Sequence, residues 1–430
     1  MAQFRIDKHQ YLPQEKTLFE VVMLADQYGN RVGSANPTGM AVDAFGRARI
    51  SEPYTLFDSF HRYRDNGRLN TANSVTGSSV THLSNEAAIL CSITNTANSY
   101  VYRESSKVFA YQPGKSLQIL QTFVMAPPQK GLRQRYGYYG VQNGFYLEQE
   151  DQNIYFVRRS STTGTIINNR VEKKDWNVDK LDGTGPSKLT LDLTKAQILF
   201  IDLEWLGVGS SRMGFVINGQ LIHCHTFHHA NQDDANTTYM TTACLPVRCE
   251  IENYNSMSNT ANLKIICSTV ISEGGYQLRG RPKTTGREPN NTLSIATAGT
   301  YYPVAAIRLK SDRADSIVVP RNISFLGVGG NNARYRYKII TGATINDGNW
   351  VSAGDDSSVQ YNVTANTMSG GTDIISGYAA ATTQSLSPID LGGVDVFRYQ
   401  LERNSFTGSN TTFVIAVTSA TNGDTCIGGI

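Results

Sequence analysis

The sequence predicts an all-β chain: tandem β-sandwich or jelly-roll domains behind an N-terminal extended arm. Three observations predict it. Short runs rich in β-branched and aromatic residues recur, as in Asn153-Ile-Tyr-Phe-Val-Arg-Arg, Leu263-Lys-Ile-Ile-Cys-Ser-Thr-Val-Ile and Thr411-Thr-Phe-Val-Ile-Ala-Val-Thr, each bounded by Asn, Gly, Ser or Thr. Turn dipeptides are dense: Asp182-Gly183, Asn218-Gly219, Asp347-Gly348 and Asn422-Gly423 tolerate the positive φ that tight reversals need. No stretch sustains an apolar stripe at helical spacing beyond a turn or two, and many short strands with frequent turns indicate sandwiches.

Length justifies more than one domain, since 430 residues exceed an ordinary single core. Residues 1–50 are mixed and Gly-rich, with Gly33-Ser-Ala-Asn-Pro-Thr-Gly, and read as an arm that packs on something else. Residues 51–275 form the longest β pattern. Residues 276–292 are polar, with two prolines and the basic side chains Arg279, Arg281, Lys283 and Arg287, which is linker composition. Residues 293–430 return to short strands, rich in Ser, Thr, Asn and Gly. Phe413, Ile415 and Val417 share one strand face because side chains alternate. Trp205-Leu-Gly-Val-Gly-Ser and Phe325-Leu-Gly-Val-Gly-Gly hint at a repeated corner.

Composition bounds the function. Charged residues are 17 % and the hydrophobic set 40 %, a globular balance. A net charge of +3 argues against a dedicated nucleic-acid binder. No apolar run reaches the roughly 18 residues of a membrane span, and Met-Ala-Gln-Phe-Arg-Ile-Asp-Lys lacks the order of a secretory signal. A soluble protein made in a cytoplasm is expected. Cys91, Cys224, Cys244, Cys249, Cys267 and Cys426 are scattered and form no CxxC pair, so free, mostly packed thiols are expected.

Four constellations could carry chemistry. Asp202 and Glu204, two apart on a strand, would stand side by side and could suit glycoside hydrolysis. Jelly-roll glycanases use an E-x-D-x-E strand of this kind, and here Phe200 occupies the nucleophile's position; an acidic surface or contact pair is the alternative. His223 and His225 would share a strand face, with His228 folding back and Asp233 and Asp234 following, a set that zinc favours; a strand end at a subunit contact is the bland alternative. The linker basics could touch phosphates, but without aromatic interleaving beyond Tyr276 a solvated linker or subunit pairing fits better. Tyr136, Tyr138, Tyr139, Phe145 and Tyr146 could stack on sugar rings or simply fill the sandwich. Neither a phosphate-cradling loop nor a nucleophile elbow is present. No catalytic, cofactor-binding or metal residue is assigned, and the chain is read as non-enzymatic.

The stretches Gly46-Arg-Ala-Arg-Ile-Ser-Glu-Pro-Tyr-Thr-Leu-Phe-Asp-Ser, Tyr111-Gln-Pro-Gly-Lys-Ser, Trp176-Asn-Val-Asp-Lys-Leu-Asp-Gly-Thr-Gly-Pro-Ser, Glu204-Trp-Leu-Gly-Val-Gly and Cys267-Ser-Thr-Val-Ile-Ser-Glu-Gly-Gly stand out together. They resemble a virion structural protein family of contractile-tailed phages, of the marine cyanophage type. Ser51-Glu-Pro makes a rigid turn where the arm meets a domain, and Asp182-Gly-Thr-Gly-Pro a tight reversal. The order Leu189-Thr-Leu-Asp-Leu, Ile198-Leu-Phe-Ile-Asp-Leu-Glu-Trp, Gly214-Phe-Val-Ile-Asn-Gly is similar to the lectin-like, concanavalin-type sandwich, a likeness of fold and not of function. The phage resemblance implies a structural subunit of the tail, neck or capsid surface, located in the virion. It would contact other virion proteins through its arm and form a homo-oligomer, by analogy a trimer. Adhesion to host-surface glycan is the second expectation, and a glycan depolymerase using Asp202 and Glu204 the third.

Overall fold

A computed structural model describes residues 52–65, 67–232, 236–328, 333–380 and 399–430, and the backbone of residues 5–11, 18–23 and 389–390. The chain divides into two compact units, Met1–Pro53 and Tyr54–Ile430. In the first, β1 (Arg5–Tyr11) and β2 (Leu18–Met23) pair as an antiparallel hairpin. Part of the expected arm is therefore folded; its segments 33–39 and 46–51 lie outside the described residues.

The second unit begins with β3 (Pro53–Phe60), β4 (Leu69–Asn73), β5 (Ser78–Leu83), β6 (Ala88–Ile93), β7 (Tyr100–Ser105) and β8 (Ser116–Val124). Next come β9 (Leu132–Tyr139), β10 (Gly144–Glu150), β11 (Asn153–Ser160) and β12 (Ile167–Glu172). They are followed by β13 (Gln197–Leu203), β14 (Ser211–Ile217), β15 (Gln220–Phe227), β16 (Val247–Asn253) and β17 (Ala261–Glu273). These make two antiparallel sheets, β12-β11-β10-β9-β16-β7-β4 and β15-β14-β13-β8-β17-β6-β5, with β3 beside β17. The sheets close on one core because their strands alternate. Leu117, Ile119 and Phe123 of β8 face Leu132, Tyr136 and Tyr138 of β9 in that core, and the Phe123 and Tyr136 rings stack at 4.6 Å. Each such side chain removed from water contributes roughly 1.5–3 kcal/mol. Asn218 and Gly219, both at positive φ, turn β14 into β15 as the sequence implies.

The remaining strands are β18 (Leu293–Ser294), β19 (Tyr302–Leu309), β20 (Asn322–Gly327), β21 (Arg334–Thr341), β22 (Thr344–Ile345) and β23 (Val351–Ser352). After them come β24 (Val359–Asn362), β25 (Met368–Ser369), β26 (Thr372–Ala380), β27 (Ile389–Asp390), β28 (Phe413–Ser419) and β29 (Thr425–Gly429). A six-stranded sheet, β23-β24-β19-β28-β21-β26, faces a four-stranded one, β18-β29-β20-β27. Phe413, Ile415 and Val417 enter the core between them as the alternation predicts, and Phe325 meets Tyr335 edge-on at 5.5 Å.

The chain is therefore all-β, as expected; its helical turns among the described residues are two short 3-10 segments, and no helix there is long and apolar enough to cross a membrane. Three local expectations fail. Trp205 follows β13 in a turn whereas Phe325 lies within β20, so the echo is not a repeated corner. Residues 189–193 make one bridge, Asp182↔Thr190, rather than a strand, because Asp192 turns its carboxylate onto the Thr194 N–H. Residues 285–287 join the C-terminal edge instead of acting as linker: the Thr285 N–H donates to Ile430 and the Arg287 N–H to Gly428.

One segment ties the two sandwiches together. Arg403 Nη2 and Ser405 Oγ donate to Glu104 Oε1, each at 2.7 Å. Asn70 donates to the Arg403 carbonyl at 2.7 Å, and Gln400 to the Val108 carbonyl at 2.9 Å.

Candidate functional site

The residues singled out in the sequence are not brought together as an active site. Asp202, next to last in β13, forms an ion pair with Arg212, its cross-strand neighbour on β14. Burial raises the Asp202 carboxyl above its ordinary range although Arg212 opposes the shift. Glu204 lies beyond the strand end and is exposed, so the alternation that would align the two carboxylates stops one residue short. Phe200 is buried and lies against Gly214.

The histidines are also divided. A bulge at Cys224 shifts the register, so that His223 opposes Gly214 and His225 opposes Met213. His223 Nε2 meets Thr226 Oγ1 at 2.8 Å, His225 Nδ1 accepts from the Asn177 N–H at 3.3 Å, and His228 Nδ1 lies 3.4 Å from Ser210 Oγ. Burial, with the neighbouring His223 and His228, lowers His225 to about 4. No group of three His, Cys, Asp or Glu side chains among the described residues is arranged to hold a metal; Asp233 and Asp234 lie outside those residues.

Of the basic set, Arg279 and Arg281 are exposed, the latter 3.6 Å from Asp356. Arg287 is buried and donates to the carbonyls of Val304 and Ala365 at 2.9 and 2.8 Å. It is a pin of the C-terminal sandwich rather than a solvated linker charge. The tyrosine cluster is buried throughout. Tyr136, Tyr138 and Phe145 belong to the main core, and Tyr139 and Tyr146 pack with tilted rings at 4.4 Å on the outer side of the sheet. The cysteines are free; Cys91 and Cys426 are buried, which pushes their thiols up to about 12, and Cys267 is exposed.

The arrangement that stands out lies on the outer face of the seven-stranded sheet and was missed in the sequence. Its register aligns Glu172, Tyr155, Glu148, Arg135, Glu250 and Tyr102 in one row across six strands. A second row runs Glu150, Arg133, Glu252, Tyr100, and a third includes Arg170 at one end and Arg248 and Glu104 at the other. Opposite charges on adjacent strands are favourable neighbours. Arg135 donates to Glu148 at 2.6 Å and Glu250 at 2.9 Å. Arg133 donates to Glu252 at 2.7 Å and Glu150 at 3.2 Å. Arg248 donates to Glu250 at 2.6 Å and Glu104 at 2.7 Å, and Arg170 pairs with both Glu148 and Glu150. With Arg403 from the C-terminal segment, five arginines balance the five glutamates 104, 148, 150, 250 and 252.

Exposure grades along this face. Glu148 and Glu250 are 2 % and 5 % exposed, whereas Arg170 keeps 33 % and Arg133 25 %. Burial works against the charged form of Glu250, but Arg248 and Arg135 hold its carboxyl below the usual range. Tyr155 lies under Arg170 at 4.2 Å and Tyr254 under Arg133 at 4.9 Å, and both rings remain half-exposed. Tyr102 donates to Glu252 at 2.6 Å. At the β7 end the face is covered, because Arg248 stacks on Phe406 at 5.2 Å and Glu104 is taken by Arg403 and Ser405. The face is thus a pavement of donors and acceptors in which these five arginines and five glutamates cancel, open toward β12.

No protein-family model matches the sequence, and no curated protein matches it. The chain is similar to several solved structures. A protein of unknown function from Shewanella oneidensis MR-1 aligns over 54 % of this chain and 91 % of its own, at 9 % identity and TM-score 0.35. The CBM2 module of the evolved Dit of Lactobacillus casei BL23 phage J-1 aligns over 53 % of this chain and 100 % of its own, at 7 % identity and TM-score 0.33. Peanut lectin aligns over 53 % of this chain and 100 % of its own, at 12 % identity and TM-score 0.29.

Proposed function

We propose that the protein is a non-enzymatic adhesion protein that binds a neutral glycan on the outer face of its seven-stranded sheet. The observation that carries this reading is the cross-strand row of Glu172, Tyr155, Glu148, Arg135, Glu250 and Tyr102, with the arginines of the neighbouring rows paired to its glutamates. Sugar hydroxyls donate and accept, and so can engage fixed guanidinium donors and carboxylate acceptors alike. Tyr155 and Tyr254 are partly exposed beneath Arg170 and Arg133, and the stacked guanidinium–tyrosine pair is the surface that a pyranose ring would meet. The five arginines and five glutamates cancel one another, so these ten side chains together favour no ionic ligand. Each of these glutamates is held by at least one guanidinium, and at Glu250 Arg248 and Arg135 hold the carboxyl below its usual range against burial, which opposes a proton-donating role there.

The test is titration calorimetry of the full chain with neutral oligosaccharides chosen from an array. Arg170→Ala and Tyr155→Ala should each weaken binding about tenfold, or ~1.4 kcal/mol, with no new reducing ends released from the glycan. Absence of any neutral-glycan binding, or unchanged affinity in both variants, would sink the reading.

A second reading, a structural subunit of a phage virion that docks through residues 1–50 and self-assembles, is favoured by the separate N-terminal unit and its hairpin. The two readings are compatible, since an appendage can both assemble and adhere. Light scattering on the full chain and on a form lacking residues 1–50 tests it: a defined oligomer is expected in both, and a monomeric full chain rules out intrinsic self-assembly.

A further inference from the structure

The loop between β3 and β4 has a different chemistry from the sheet face. Asp58, Phe60, Arg62, Tyr63, Arg64 and Arg68 line an open cavity of ≈ 270 Å³. Three arginines against one aspartate leave a local charge of +2. Asp58 is taken by Arg68, at 3.4 Å, and no hydrogen bond or ion pair engages the guanidinium of Arg62 or Arg64 among the described residues. Phe60 is 58 % and Tyr63 84 % exposed, and Arg62 lies over the Tyr63 ring at 5.2 Å.

The loop is also pinned on both sides of these residues. His61 is buried, with its carbonyl 2.7 Å from His82 Nε2. Asp65 receives Arg103 Nη2 at 2.5 Å, and Arg103 itself is wholly buried between the sheets. Arg62, Tyr63 and Arg64 therefore project from a short span anchored at 61 and 65. Such anchoring lowers the ordering cost of binding.

We propose that this loop is a second binding site, which takes the acidic group of a saccharide between Arg62 and Arg64 while the sugar ring lies against Tyr63 or Phe60. Guanidinium groups suit carboxylate and phosphate oxygens through paired N–H bonds, and aromatic rings supply the apolar contact. A cavity of this volume takes one sugar ring rather than a length of polypeptide. The site does not rest on the sheet-face reading, because it shares no residue with that face and carries the opposite charge logic.

The experiment is titration of the full chain with an oligoglucuronate, with its carboxyl-reduced neutral form and with glucose 6-phosphate. The acidic oligosaccharide is expected to bind at least tenfold more tightly than the reduced one. Arg62→Ala/Arg64→Ala should remove that preference, while Arg279→Ala/Arg281→Ala on the exposed linker leaves it intact. Binding of glucose 6-phosphate that is lost in the same double variant would assign the site to phosphate as the acidic group. The proposal is overturned if neither acidic probe binds more tightly than the reduced form, or if the linker variant loses as much affinity as the loop variant.

Discussion

Replacing Arg135 by alanine would strip Glu148 and Glu250 of a cation that each holds at hydrogen-bond distance, in a place almost closed to water. A carboxylate left unpaired there keeps its desolvation penalty without the attraction that offset it. The expected loss is ~3–5 kcal/mol, read from urea unfolding of Arg135→Ala. Arg212→Ala is the matched comparison, because Arg212 is 60 % exposed where it meets Asp202 and a screened surface pair contributes about 1 kcal/mol or less. Equal losses in the two variants would mean that burial does not set the strength of these pairs. The charge row would then lose its standing as a rigid platform.

At the scale of elements, what the sequence revealed and what it hid have one physical origin. Alternation within a strand is local, so the inward face of Phe413, Ile415 and Val417 and the Asn218-Gly219 turn were legible from neighbouring residues alone. The same rule misled at Asp202 and Glu204, because β13 ends at Leu203 and alternation has no force beyond the last paired residue. It misled again at His223 and His225, where one extra residue, Cys224, reverses the facing. The tyrosine cluster could be read as strand but not as buried, since burial depends on what lies across the sheet. The Arg–Glu pavement was out of reach for a further reason. Each strand contributes only one to three members to it, from positions as far apart as Glu104 and Glu250. Only the register between strands makes them neighbours, and hydrophobic pattern says little about register on a face that is polar.

For the whole molecule, the two separate cores are joined by the segment around Arg403. Because Arg403 and Ser405 both bond Glu104, Arg403→Ala should uncouple the sandwiches and split one calorimetric unfolding transition into two. An unchanged single transition would show that the cores are coupled by other contacts. That segment also makes the sheet face a cul-de-sac. From β12 to β16 the charged row spans four strand spacings, about 19 Å, and it stops against Phe406 and Arg403. A glycan laid across the strands would have to arrive tip first and halt at that wall. The protein would then distinguish the terminus of a saccharide from its interior, and would count chain ends on a surface rather than the mass of polymer beneath them.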